Sequence, residues 1–221
     1  MKFIYSLIWT TVFALSSYPL NAAQISLFEW DVNVNGVIDR SLINAAGFDQ
    51  TTGLGTIELK INDLGTHSVD FFFDHEIDES TNTYFNESGS VTGTAAAGQS
   101  WEIDEPGFLF GDIYDNFLAS TLDNFNNVPS GMEDDVSIGL GWDFVLGVDE
   151  MVTISVVISE AIPLNAFYLT QHDPDSNASI YFSSTVSINP ISQVPVPAAF
   201  WLMFSGLMGM LGFNRVKVVS V

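Results

Sequence analysis

Residues 31–39 read Asp-Val-Asn-Val-Asn-Gly-Val-Ile-Asp, placing oxygen-bearing side chains at Asp31, Asn33, Asn35 and Asp39. These are the first, third, fifth and ninth places of a calcium loop, with Gly36 at the sixth, and a hard cation selects such donors because it takes six to eight oxygens. The twelfth place is Leu42, so the bidentate carboxylate is missing, and neither flank carries a helical period. Phe28, Trp30, Val32 and Val34 alternate before Asn35-Gly36, which reads instead as a strand entering a type I′ hairpin, and the hairpin is the favoured reading. Three further acidic clusters stand at 74–79, 102–105 and 133–135. Carboxylates brought together from separate loops can hold calcium, although neighbours in sequence need not converge and solvated loops are the alternative.

Other chemistry finds little support. The chain has no cysteine, which removes disulfides, thiolate nucleophiles and cysteine-ligated metals. His67, His75 and His172 lack the HxH or HExxH spacing of a zinc site, and no GxSxG elbow occurs. Carboxylates are so abundant that no glycosidase-like pair is singled out. A noncatalytic protein is therefore expected, with no cofactor beyond calcium under consideration. Trp30, Trp101 and Tyr114 would stack on sugars if exposed, but aromatics on strands more often enter the core. All 27 acidic residues fall between Glu29 and Asp175, where only Arg40 and Lys60 oppose them. So negative a surface attracts cations, favours solubility and argues against nucleic acid as a partner.

Strands must position these side chains. Val136, Ile138, Leu140, Trp142 and Phe144 share one face of a period-two run, and Val152, Ile154, Val156 and Ile158 repeat it after a short connection, which predicts an antiparallel pair. Ile57, Leu59 and Ile61, followed across 62–65 by Val69, Phe71 and Phe73, predict a hairpin. Phe167 and Leu169, then Ile180, Phe182, Val186 and Ile188, flank the turn-rich segment 173–177. Residues 76–127 are less regular and read as long loops or edge strands. The expected fold is one all-β, antiparallel β-sandwich ectodomain, jelly-roll-like, over 23–190, with 18 Phe and 5 Trp to build a core without disulfides.

The two ends differ from this body. Residues 1–22 have the layout of a secretory signal peptide: Lys2, an apolar stretch from Phe3 to Leu15, and small residues Ala22 and Ala23 at the cleavage point, with cut after Ala22 preferred. At the other end, a tail over 191–221 carries Val194-Pro195-Val196-Pro197-Ala198-Ala199, then a hydrophobic helix over 198–213, then Arg215 and Lys217 in a basic end over 214–221. Sixteen residues give about 24 Å of helix, a little short of a ~30 Å hydrocarbon core, so a transmembrane-type helix needs local thinning or flanking residues. The cations would remain on the cytoplasmic side. Pro195 and Pro197 keep the junction extended and accessible.

The motif at 194–199, with Trp201-Leu202, Ser205-Gly206-Leu207, Gly209, Gly212 and Arg215, resembles the VPLPA-type variant of the PEP-CTERM sorting tail. The stretch 135–188 more loosely resembles a sandwich module that recurs in PEP-CTERM bodies. Two departures stand out: Val196 replaces the Glu of the name-giving motif, and the chain ends in Arg215-Val216-Lys217-Val218-Val219-Ser220-Val221 without an arginine cluster. The resemblance implies export through the secretion translocon, transit through the inner membrane and processing by an exosortase-like membrane protease. It further implies delivery to the cell surface or extracellular space in a bacterium that makes extracellular polysaccharide. The expected function is a noncatalytic surface or matrix protein associated with exopolysaccharide. A calcium-dependent carbohydrate-binding module is the alternative, and a secreted hydrolase the third.

Overall fold

The structure, a computed structural model, describes residues 23–80, 83–107, 109–164, 166–191 and 198–213. The signal peptide with Ala22, the sorting residues Val194, Pro195, Val196 and Pro197, and the basic end with Arg215 and Lys217 lie outside the described residues. Ala23 opens them, partly buried against the core.

Two antiparallel sheets pack face to face as a β-sandwich. The first runs β2 (Val37–Ile38), β1 (Ile25–Val34), β5 (Gly65–Ile77), β8 (Ser137–Leu146), β7 (Gln99–Asp104). The second runs β3 (Ile43–Phe48), β4 (Gly55–Ile61), β9 (Glu150–Ser159), β11 (Ala178–Pro190), β10 (Tyr168–Asp173), β6 (Ser88–Thr92). The alternating rows explain the core. Val69, Phe71 and Phe73 of β5 and Ile138, Leu140 and Trp142 of β8 meet Ile57, Leu59, Ile154, Val156, Leu169 and Phe182 of the other sheet, all buried in one cluster. Phe73 stands 6.1 Å from Phe182 between ring centroids, and the Trp142 indole donates to Ser184 Oγ at 3.0 Å, so the sheets are joined by packing and by a hydrogen bond.

Two expected pairings are corrected. β4 and β5 are in opposite sheets, and so are β8 and β9: β5 pairs with β1 and β8, while β9 pairs with β4 and β11. Their short connections cross between sheets, so the apolar rows of successive strands face each other across the core instead of lying side by side. β10 and β11 do pair, in the expected order around the turn.

A short helix, α1 (Ile113–Ala119), covers the outer face of the first sheet. Ile113 and Phe117, one helical turn apart, bury against Phe72 and Leu122 in a second apolar cluster. The glycines of β8 permit this approach. A Cβ at Gly139 would stand 2.8 Å from Leu122, and one at Gly141 only 2.2 Å from Asp70 Oδ1. β5 is therefore buried on both faces from Val69 to Ile77, and its outward-facing acids are enclosed.

A second helix, α2 (Ala198–Phe213), follows the sandwich with the bounds read from the sequence. Among the described residues no helix is long and apolar enough to cross a membrane. The expected transmembrane-type helix is therefore not supported by the described residues: the 16 residues of α2 rise only about 24 Å.

Candidate functional site

The calcium-loop donors at 31–39 do not converge. Asp31 Oδ1 accepts from Arg40 Nε at 2.8 Å, and the Arg40 guanidinium lies 4.6 Å over the Trp30 ring and also donates to the Trp30 carbonyl. Asn33 is fully buried and donates to the Phe117 and Leu118 carbonyls at 2.7 and 3.0 Å, tying β1 to α1. Asn35 and Gly36 have φ of 55° and 81°, the turn of the β1–β2 hairpin, and Asn35 Oδ1 accepts from Ser68 N. Asp39 caps the following helical turn by accepting from Ser41 N at 2.8 Å. Four donors serve four separate structural contacts.

The acidic clusters do converge, at the far end of the first sheet. Asp74 and Glu76 are two apart on β5 and share its outer face. β5 and β8 pair in a register that ends at Asp74 opposite Ser137, and continuing that register sets Asp135 across from Glu76. The segment holding Asp135 is fixed by a backbone pair between Glu87 and Asp134, 3.0 Å in both directions. Asp74, Glu76 and Asp135 each offer a carboxylate oxygen, and these atoms all lie within 4.8 Å of one another. They floor a cavity of about 440 Å³ whose walls add Glu79, Glu105 and Asp134. Its apolar side carries Phe28, Tyr84, Phe85, Leu109 and Phe110. Phe28 reaches it because the β1–β5 register shifts between Leu27 and Glu29, a bulge that turns the ring outward to 66% exposure.

Burial sets the electrostatics. Asp74 is only 2% exposed and Glu76 8%. Desolvation first, then the neighbouring carboxylates, pushes Asp74 up to about 8, Glu76 to about 7 and Asp135 to about 6. Asp74 Oδ1, Glu76 Oε2 and Asp135 Oδ1 are buried without a hydrogen-bond partner. Among the described residues no basic side chain relieves them: Arg40 serves Asp31, and Lys60 lies 4.0 Å from Glu58.

A second acidic trio, Glu102, Asp104 and Asp112, lies nearby but is already committed. Glu102 accepts from Asn116 Nδ2 at 3.0 Å and Asp123 N at 3.1 Å, and Asp104 accepts from the backbone of Glu105 and Asp112, both at 2.9 Å. These carboxylates anchor the loops around α1. Glu87, fully buried, likewise accepts from Ile77 N and from Gln171 Nε2, and burial raises it to about 9.

The histidines are scattered. His67 accepts from Asn35 and donates to the Asp63 carbonyl at 2.8 Å, His75 is buried at 5.2 Å from the Phe182 ring, and His172 bonds to the Ala178 carbonyl. Trp30 is packed edge-on against Phe48, and Trp101 and Tyr114 are partly buried against Phe167 and Phe72. The aromatic rings around the cavity are others, Phe28, Tyr84, Phe85 and Phe110, and sequence reasoning missed them. For Tyr84, Phe85 and Phe110 the available signal was aromatic residues in a stretch where alternation fails, whereas Phe28 stands in the alternating row of β1 and leaves it only through the register shift between Leu27 and Glu29. Compared with family models, with curated proteins and with solved structures, the chain matches none.

Proposed function

We propose that this chain is an exported, noncatalytic cell-surface or matrix protein, a jelly-roll-like sandwich delivered by a C-terminal sorting tail. In this reading the secretory signal opens export through the translocon and the apolar tail holds the chain at the inner membrane. An exosortase-like protease then acts near Val194–Pro197, and the acidic body is passed outward to a polysaccharide-rich exterior. The observation that carries it is α2. Leu202, Met203, Leu207, Met208 and Met210 are all exposed on a helix whose sequence is apolar around its circumference. Such a helix is unfavourable in water and suits a lipid or protein environment supplied from outside.

Deleting residues 195–221 and fractionating a host that contains an exosortase tests this. The full-length chain is expected in the membrane fraction first and then outside the cell. The truncated chain is expected to bypass the membrane and appear directly in the soluble periplasmic fraction. Identical distributions for the two would overturn the proposal.

A second reading, the calcium-dependent carbohydrate-binding module, is favoured by the exposed rings of Phe28, Tyr84, Phe85 and Phe110 around an acidic floor. Glycan-array binding abolished by chelator would support it.

A further inference from the structure

The geometry points to a calcium ion held on the floor of the cavity by the carboxylates of Asp74, Glu76 and Asp135. The inference stands whichever ligand or location the body has. Three observations combine. The three oxygens lie within 4.8 Å of one another, and oxygens bound at 2.3–2.6 Å to one calcium stand at most about 5 Å apart across the ion. Two of the three residues are more than nine-tenths buried, each with an oxygen that lacks any hydrogen-bond partner while its side chain lines the cavity. Finally, six carboxylates surround one space while both basic residues of the body are engaged elsewhere.

A buried acid without a partner is costly, so something is expected to satisfy it. The chemistry of the donors selects the ion. They are all carboxylate oxygens, and the nearest imidazole, His75, sits on the opposite face of β5 and bonds to the Gly53 carbonyl. A hard cation fits this set, whereas zinc would seek nitrogen or sulfur. Three carboxylates supply up to six oxygens, and water at the open mouth completes the six to eight that calcium takes. The trio at Glu102, Asp104 and Asp112 serves as an internal contrast, since hydrogen bonds from the protein already occupy both oxygens of Glu102 and of Asp104. Bound calcium would clamp the end of β5 to the segment entering β8.

The test uses the full-length chain in detergent, stripped with EDTA and titrated with calcium chloride by calorimetry near pH 7.5. One calcium per chain is expected, with Kd of about 10⁻⁴–10⁻³ M or tighter, together with a higher melting temperature. Asp74→Asn and Glu76→Gln should each weaken binding at least tenfold. They should leave the ion-free melting temperature unchanged or higher, because each removes a buried acid; a merely structural role would lower it. Glu160→Gln, an exposed change of equal charge, should leave binding unaffected. If Asp74→Asn does not fold, terbium luminescence of the wild-type chain, displaced by calcium and weakened by Glu76→Gln, decides the matter. Absence of saturable binding, or an equal loss with Glu160→Gln, would show only diffuse counter-ions and overturn the site.

Discussion

Without calcium, the chain is expected to be most stable between about pH 4 and 5 and to unfold at progressively lower temperature as the pH rises to 8. The cause is the set of enclosed acids. Burial raises Asp70, Glu76 and Glu102 to about 7, Asp74 to about 8, Glu87 to about 9 and Asp135 to about 6. In the unfolded chain such groups lose their protons near pH 4. The folded state therefore binds more protons over this window, so the stability these acids contribute is whole below about pH 4 and drains away as pH climbs through the raised values. At about 1.4 kcal/mol per pKa unit, Asp70, raised from 3.8 to about 7, alone removes on the order of 4 kcal/mol by pH 8.

His75 works in the opposite sense. Burial lowers it to about 4, so its cost appears as the pH falls from about 6.5 through 4. Hydrogen bonds that lower Asp39, from the Ser41 hydroxyl and then its backbone N–H, and Asp49 and Glu133, chiefly from backbone N–H groups, add to the loss in stronger acid. Thermal unfolding followed by circular dichroism in EDTA, from pH 4 to 8, measures the profile. Asp70→Asn and Glu87→Gln, neither at the proposed ion, should each flatten it. Asp70 faces the Ser120 hydroxyl and Asp143, and Glu87 faces Gln171, Glu76 and Asp135. Stability that rises steadily from pH 5 to 8 would contradict the assignment of buried, protonated carboxyls.

The second large effect lies in the core. Phe73→Ala is expected to lower the unfolding free energy by about 3–5 kcal/mol, a large part of the 5–15 kcal/mol typical of a domain. Phe73 is fully buried and meets Phe71 and His75 on its own strand and Phe182 across the sandwich. No disulfide is available to absorb the loss. Val145→Ala, at an exposed position of β8, should change stability by less than about 0.5 kcal/mol. Urea unfolding compares the two, and equal effects would mean that Phe73 is not at the centre of the core.

The strands were readable because alternation records which residues point inward. Val69, Phe71 and Phe73, or Ile138, Leu140 and Trp142, announce a buried row whatever lies beside them. Alternation does not record the neighbour, and so β4–β5 and β8–β9 read as hairpins although each connection changes sheet. The cover over the first sheet was hidden for another reason. α1 has only 7 residues, too few to display a helical period, and Ile113 and Phe117 are its whole buried face. Without that cover Asp70, Asp74 and Glu76 look like ordinary surface acids.

The cavity was legible in part. All three acidic clusters around it were visible as runs, but the convergence of Asp74, Glu76 and Asp135 follows from the β5–β8 register, which no local pattern reveals. At 31–39 the turn chemistry of Asn35-Gly36 outweighed the spacing of the oxygens. The strand's alternation then sent Asp31 and Asn33 to Arg40 and to the end of α1.

Export and sorting rest most directly on the two chain ends. Intact-mass measurement of the protein recovered outside a host with a matching exosortase should give a chain that begins at Ala23 and ends near Val194–Pro197. A full-length polypeptide dissolved in the cytosol, with Met1 and Val221 both present, would contradict the proposal outright.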